Sequence, residues 1–270
     1  MIGQQELMKY ISRLISDGRF PRFALFIGEQ GSEKNQIAEV IASQMHANYA
    51  SVSDCKVDTI RQLIDDAYRV RTLTVFNISD ADNMSLQAKN AMLKVMEEPP
   101  NRAYFVMTLE DTNNTLPTIL SRATVYNLNP YSADELRQYA QSKDCDEDEV
   151  EILLSICETP GDIDLMLEYE PKKFYSFIEK VVDHVATASG SNVFKIGQSL
   201  KFKESDESGY DLRIFWKAFT CVCMSRKYYY GVKLTSTYSA MLRSKSVNRL
   251  MLFDNWILDI REEWAIDGCC

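Results

Sequence analysis

At 270 residues, with 46% hydrophobic and 26% charged side chains, the chain has the balance of a folded protein large enough for more than one core. Its net charge of −9 argues against a chain that binds nucleic acid alone, because neutralising phosphates takes a basic surface, although a local basic patch is compatible with that total. No apolar run is long enough to span a bilayer, no secretory leader pattern stands at Met1–Gly28, and the seven scattered cysteines, an odd number, fit reduced thiols in a cytoplasmic protein.

Met1–Asp17 reads as a helix with Leu7, Ile11, Leu14 and Ile15 on one face. Gly18–Arg22 is a turn, and Phe23–Ile27 is a compact apolar strand ended by Gly28. Gly28–Asn35, GEQGSEKN, lies between that strand and a helix expected over Gln36–His46. A phosphate-binding loop of pattern G-x-x-x-x-G-K-[ST] occupies that place between strand and helix. Gly28 and Lys34 match the pattern, but Glu33 replaces the second glycine and Asn35 the hydroxyl residue. A glycine there lets backbone N–H groups approach phosphates; a glutamate adds bulk and a like charge. The hydroxyl normally binds magnesium, for which an amide is a poorer ligand. Lys34 keeps its attraction for a phosphate and Gly31 keeps the loop pliable. The two readings are a weakened nucleotide site and a loop retained for its shape, and the substitutions favour the second.

Ala47–Ser53 is short and β-prone, and Val57–Val70 is an amphipathic helix burying Ile60, Leu63, Ile64 and Ala67. Thr72–Ile78 suits one buried strand, followed by a polar break at Ser79–Met84. Ser85 opens a helix in which Leu86, Met92, Leu93 and Met96 fall near helical spacing, and Pro99-Pro100 stops it. Ala103–Leu109 is a second strand, Asn113 and Asn114 form a loop, and Leu116–Leu120 is a short helix ending at Ser121-Arg122. Strand, helix, strand is the rhythm of a parallel α/β sheet. Asn129–Ser132 is a boundary, after which Ser132 caps a helix with Glu135 three residues on. Helices are expected at about 132–142, 147–157 and 162–170. Helical periodicity continues at Phe174–Thr187, Val193–Phe202, Asp211–Tyr228 and Asn248–Glu263, broken at Ala188–Asn192 and Glu204–Gly209. The run Arg226–Tyr230 suits stacking on nucleic acid, a core cap or a partner surface; the affinity of tyrosine for interfaces favours the last two.

Three blocks carry a resemblance. They are Asp80-Ala81-Asp82, AKNAMLKVMEEPP at Ala88–Pro100, and LPTILSR at Leu116–Arg122. In this order and spacing they resemble the clamp-loader branch of the AAA+ ATPases, and within it the delta-prime subunits of bacterial DNA polymerase III. That family writes them as an acidic box, NALLKTLEEPP and LPTIxSRC. The resemblance covers about the first 170 residues.

The resemblance implies an AAA+ core at 1–130 (a parallel sheet flanked by helices), a three-helix lid at 131–187 and a helical collar at 188–270 that joins subunits. It sets Ile2-Gly3-Gln4 beside the nucleotide base and Thr108 near a sensor position. On that alignment the magnesium-binding aspartate becomes Ser79 and the catalytic glutamate becomes Asp80. Asp164 replaces a second sensor arginine in Gly161-Asp162-Ile163-Asp164. Gly28, Gly31 and Lys34 would form a degenerate phosphate loop, with no ATP hydrolysis and no metal. The zinc module of many relatives has only Cys55 near its place, so no zinc is expected. Arg122 is retained; in the family this arginine enters the ATP site of a neighbouring subunit, where a guanidinium stabilises the transferring phosphoryl group. The expected function is a non-catalytic clamp-loader subunit that gives an arginine finger in trans. Its partners would be other clamp-loader subunits and, through the assembly, the sliding clamp and primer-template DNA. The alternative is an ATP-hydrolysing motor subunit of the same family.

Overall fold

Short buried strands alternating with amphipathic helices can hide their apolar faces together only as a sheet with helices on both sides. The computed structural model describes residues 3–187, 202–203, 209–242 and 247–266. They group into two units, Met1–Glu135 with Thr159–Gly161, and Leu136–Glu158 with Asp162–Cys270.

In the first unit, β1 (Phe23–Ile27), β2 (Asn48–Val52), β3 (Thr74–Ile78), β4 (Ala103–Leu109) and β5 (Thr124–Asn127) form one sheet in the order β2-β3-β4-β1-β5. All four pairings are parallel, with Phe23 opposite Phe105 and Thr74 opposite Ala103. The inner strands β1, β3 and β4 are buried almost throughout, whereas the edge strands are mostly exposed. Side chains alternate between faces. Phe23, Leu25, Phe76, Phe105 and Met107 join a core completed by α3 (Val57–Arg69) and α4 (Leu86–Glu97). Phe23 stacks on Phe105 at 4.9 Å within it. Ala24, Phe26, Val75 and Val106 join another core, with α1 (Gln5–Ser16) and α2 (Lys34–Gln44). Ser85 caps α4 by accepting from the Ala88 N–H at 3.2 Å, and the short α5 spans Pro117–Leu120.

Strand β5 is a departure from the sequence expectation. TVYN is too short and too exposed to announce itself; it is a strand because its backbone pairs with β1, Ala24 opposite Thr124.

The second unit is carried by α6 (Ala133–Gln141), α7 (Glu147–Ile156), α8 (Pro160–Glu168), α9 (Pro171–Thr187), α10 (Leu212–Ser225), α11 (Tyr229–Met241) and α12 (Arg249–Ile266). Asp146 and Glu149 close a reciprocal cap at the start of α7, at 3.0 and 3.2 Å. The expected helix over Asp211–Tyr228 ends at Ser225, and α11 follows it unforeseen. Gly231 and several β-branched residues mask its helical character in the sequence. Tertiary packing overrides that propensity, for Thr235 is buried and accepts from Trp256 Nε1 at 3.0 Å. Trp256 meets Phe219 edge-on at 4.9 Å in an aromatic core. The helix expected over Val193–Phe202 lies outside the described residues except for Phe202, which bridges Tyr210.

Candidate nucleotide-binding site and Arg122

All strands being parallel, the carboxyl ends of β1, β3 and β4 meet at one edge of the sheet. The loop of Gly28, Gly31 and Lys34 leaves β1 there, and Gly28 N–H donates to Leu109 O at the end of β4 (3.1 Å). A Cβ on Gly28 would stand 2.9 Å from Ser32 Oγ, which can rotate away, and 3.0 Å from Leu128 Cβ, so a side chain here would crowd Leu128. Gly31 lies at φ +81° and Glu33 at φ +56°. The position that lost its glycine has therefore kept a glycine-like backbone, at a cost of roughly 1–2 kcal/mol for an L-residue.

Lys34 is buried and turned back on its own loop. Its Nζ donates to Gly28 O and Glu29 O, each at 2.6 Å, with Ser32 Oγ at 3.5 Å. Burial holds its pKa below the ordinary lysine value, against the opposing pull of Glu110, Asp80, Asp82 and Glu29.

The corner where a phosphate-bound magnesium would find its protein ligands is neutral. Asn35 Oδ1 accepts from Ser79 Oγ at 2.9 Å and from Asn77 Nδ2 at 3.0 Å. Asn77 Nδ2 also lies 3.1 Å from Tyr49 OH, 3.3 Å from Ser51 Oγ and 3.3 Å from Ser79 Oγ. Magnesium prefers anionic oxygens held in an octahedron; the oxygens here belong to amides and hydroxyls bonded to one another, and Asn77 Oδ1 is buried without a hydrogen-bond partner among the described residues. Asn35, Asn77 and Ser79 offer a magnesium ion no anionic oxygen. Asp80, in a left-handed conformation at φ +50°, donates its N–H to Thr108 Oγ1 at 3.1 Å. Thr108 thus reaches the acidic box from the neighbouring strand. Neither Asp80 nor Asp82 caps α4; Ser85 does that.

The outer side of the loop is closed by backbone. Gly161 N–H donates to Gly31 O at 3.0 Å and Thr159 Oγ1 to Gln30 O at 3.3 Å. A Cβ on Gly161 would come within 2.5 Å of Gly31 Cα. Tyr131 OH donates to Ser32 O at 3.1 Å. Gln4 is fixed by a two-way bond with the Asn129 backbone, Nε2 to O at 2.7 Å and N to Oε1 at 3.1 Å. The sequence had not singled out Asn77, which reads as one more residue of an apolar strand, nor Thr159 and Tyr131.

Arg122 lies elsewhere, just past α5, at the surface. Its Nη1 donates to Thr118 O at 3.2 Å, and its Nη2 stands 3.4 Å from Glu97 Oε1. An exposed pair of that length is worth about 0–1 kcal/mol, so the guanidinium is easily released. Asp164, in the second unit, accepts from Tyr139 OH at 2.8 Å and pairs with Lys143 at 2.7 Å.

This strand order with its loop after β1 is that of the AAA+ fold, and solved structures agree at the level of fold. A DNA polymerase III gamma subunit-related protein of Thermotoga maritima superposes with TM-score 0.54 at 16% identity, covering 95% of this chain and 99% of that one. The Thermotoga maritima RuvB Holliday junction branch migration motor gives 0.53 at 14% identity, covering 77% and 86%. Sequence relatives narrow the class. A family model described as DNA polymerase III, delta subunit, matches residues 48–132. DNA polymerase III subunit gamma of Buchnera aphidicola subsp. Schizaphis graminum is 26% identical over 166 residues, covering 50% of this chain and 46% of that protein. Subunit tau of Bacillus subtilis is 26% identical over 152 residues, covering 45% and 27%. The replication factor C small subunit of Methanococcus vannielii is 23% identical over 149 residues, covering 50% and 47%. The resemblance to the AAA+ clamp-loader family thus holds over about half of the chain, which spans less than half the length of these relatives.

Proposed function

We propose that this chain is a clamp-loader subunit of the delta-prime kind, which hydrolyses no ATP and supplies Arg122 to the ATP site of a neighbouring subunit. The observation that carries the reading is the neutral Asn35–Ser79–Asn77 network at the magnesium corner. Glu33 adds a carboxylate within the loop, and Lys34 is already satisfied by Gly28 and Glu29. A triphosphate would have to displace these bonds without the charge compensation that a magnesium ion brings. The exposed Arg122, held only by a carbonyl and a long carboxylate contact, has the freedom that action in trans requires. On this reading residues 1–130 form the nucleotide-binding-like domain, 131–187 the lid and 188–270 the collar. The partners are the other clamp-loader subunits and, through them, the sliding clamp and primer-template DNA.

The second reading, an ATP-hydrolysing subunit, has one observation in its favour: Gly28, Gly31, Glu33 and Lys34 keep a glycine-type bend with the lysine inside it. Turnover and nucleotide binding of the isolated chain separate the two. We expect neither above background, and binding to emerge when Glu33→Gly, Asn35→Thr and Ser79→Asp are combined, by more than the single changes sum to. Turnover by the unaltered chain that is abolished by Lys34→Ala would refute the proposal.

A further inference from the structure

The chain is acidic overall, yet the 42 residues of Leu212–Phe253 contain eight Lys and Arg and no Asp or Glu. Five of these cations, all among the described residues, fall into two sets. Arg213 and Lys217 are held by the buried Asp162, Lys217 also by Glu158, and Arg226 by Glu179 and Asp183. Lys227 and Lys233 are exposed and have no ion-pair partner among the described residues. Lys227 sits in the left-handed turn between α10 and α11, at φ +62°. Tyr229 opens α11 with 63% of its surface exposed, and Lys233 follows one helical turn later on the same side. Past Lys233 that side continues with the small exposed residues Ser236, Thr237 and Ala240, which offer no steric barrier. Of the acids on neighbouring helices, Glu179 and Asp183 are engaged by Arg226, and Asp259 accepts from Tyr238 OH. Among the described side chains, that leaves Asp254 exposed on α12.

We propose that Lys227, Tyr229 and Lys233 form a docking surface for single-stranded nucleic acid. Two ammonium groups without an ion-pair partner among the described residues stand before and after an exposed ring, one in the turn that precedes α11 and one a helical turn past the ring, which suits phosphates beside an unstacked base. A duplex hides its base faces and gives the ring nothing to stack on. An acidic protein segment would satisfy the lysines but leave the tyrosine idle. The inference is independent of the state of the nucleotide site, since it uses other residues in the other unit.

The test is fluorescence anisotropy of the full chain with a labelled oligothymidylate of about 20 nucleotides, a duplex of equal length, and polyglutamate as the acidic comparator. The oligothymidylate is expected to bind at low salt with a log–log salt slope of about −1.4, two phosphates at about −0.7 each. Lys227→Glu with Lys233→Glu should weaken binding by roughly tenfold or more and flatten the slope. Tyr229→Ala should weaken it on the order of tenfold, while Tyr229→Phe binds as the unaltered chain does. All three side chains are exposed, so circular dichroism should show every variant folded. Absence of oligothymidylate binding at low salt, or full binding by the charge-reversed pair, overturns the proposal. So does duplex binding of equal strength that ignores Tyr229→Ala, and so does polyglutamate binding as tightly as the oligonucleotide.

Discussion

Lys34 and Arg122 are the two cations that the proposed function turns on, and their surroundings are opposite. Lys34 is buried, 7% exposed, and its ammonium has two carbonyl oxygens at 2.6 Å. The Arg122 side chain is 39% exposed and has one carbonyl at 3.2 Å and one carboxylate at 3.4 Å. A cation satisfied from within has little left to offer a ligand, whereas one held by a screened surface pair loses little on leaving it. On the proposed function, the contrast separates a site that has turned inward from a group available to another chain.

The largest expected effect tests the outward half. Arg122→Ala in the assembled complex should lower hydrolysis at the site it serves by roughly 10³–10⁵. The chain should stay folded and assembled. Arg122→Lys should recover only part, because lysine lacks the planar fork. Single-turnover hydrolysis is the readout, since intact neighbouring sites dilute a steady-state loss. Unchanged hydrolysis with assembly confirmed would reduce Arg122 to the surface partner of Glu97.

The inward half is tested next by Gly161→Ala. The added methyl group would meet Gly31 backbone, which cannot step aside as a side chain can. A loss of about 1–3 kcal/mol is expected, read as a lower denaturation midpoint. An unaltered midpoint would mean that the loop is not clasped in solution.

Lys34→Met should destabilise by about 1–3 kcal/mol, because the carbonyls of Gly28 and Glu29 lose their donor. The effect should depend on pH in a defined sense. With its folded pKa lowered by burial, Lys34 binds fewer protons folded than unfolded between that pKa and the ordinary value of about 10.4. Its contribution to stability therefore rises with pH across this window. The gap between the unaltered chain and Lys34→Met should widen as pH climbs through it, and a constant gap would contradict the buried placement.

The smallest effect has the opposite sign. Glu33→Gly should stabilise by about 1 kcal/mol, because glycine adopts φ +56° without strain. A loss would show that the carboxylate, whose Oε1 accepts from Gln36 Nε2 at 2.8 Å, matters more than the backbone.

The sequence by itself determined the sheet's inner strands. Phe23–Ile27 and Ala103–Leu109 are strands with the expected bounds, because a strand buried on both faces is written as an unbroken apolar run. It also determined where α3 and α4 lie, through one-sided apolar spacing and the Ser85 cap, and it marked Glu33 and Asn35 as departures from a phosphate-binding pattern, while Ser79 stood out only through the family resemblance. Tertiary structure decided the rest. β5 exists through its pairing with β1, and α11 through the packing of Thr235 against Trp256, neither of which a local window contains. Asn77 became the hub of the polar corner only when β3 was set beside Tyr49 and Ser51 of β2 and against Asn35. Gly161 met Gly31 across 130 positions of chain. Burial periodicity is a local property that the order of residues carries directly; a hydrogen bond between distant residues is fixed only when the fold brings donor and acceptor into register.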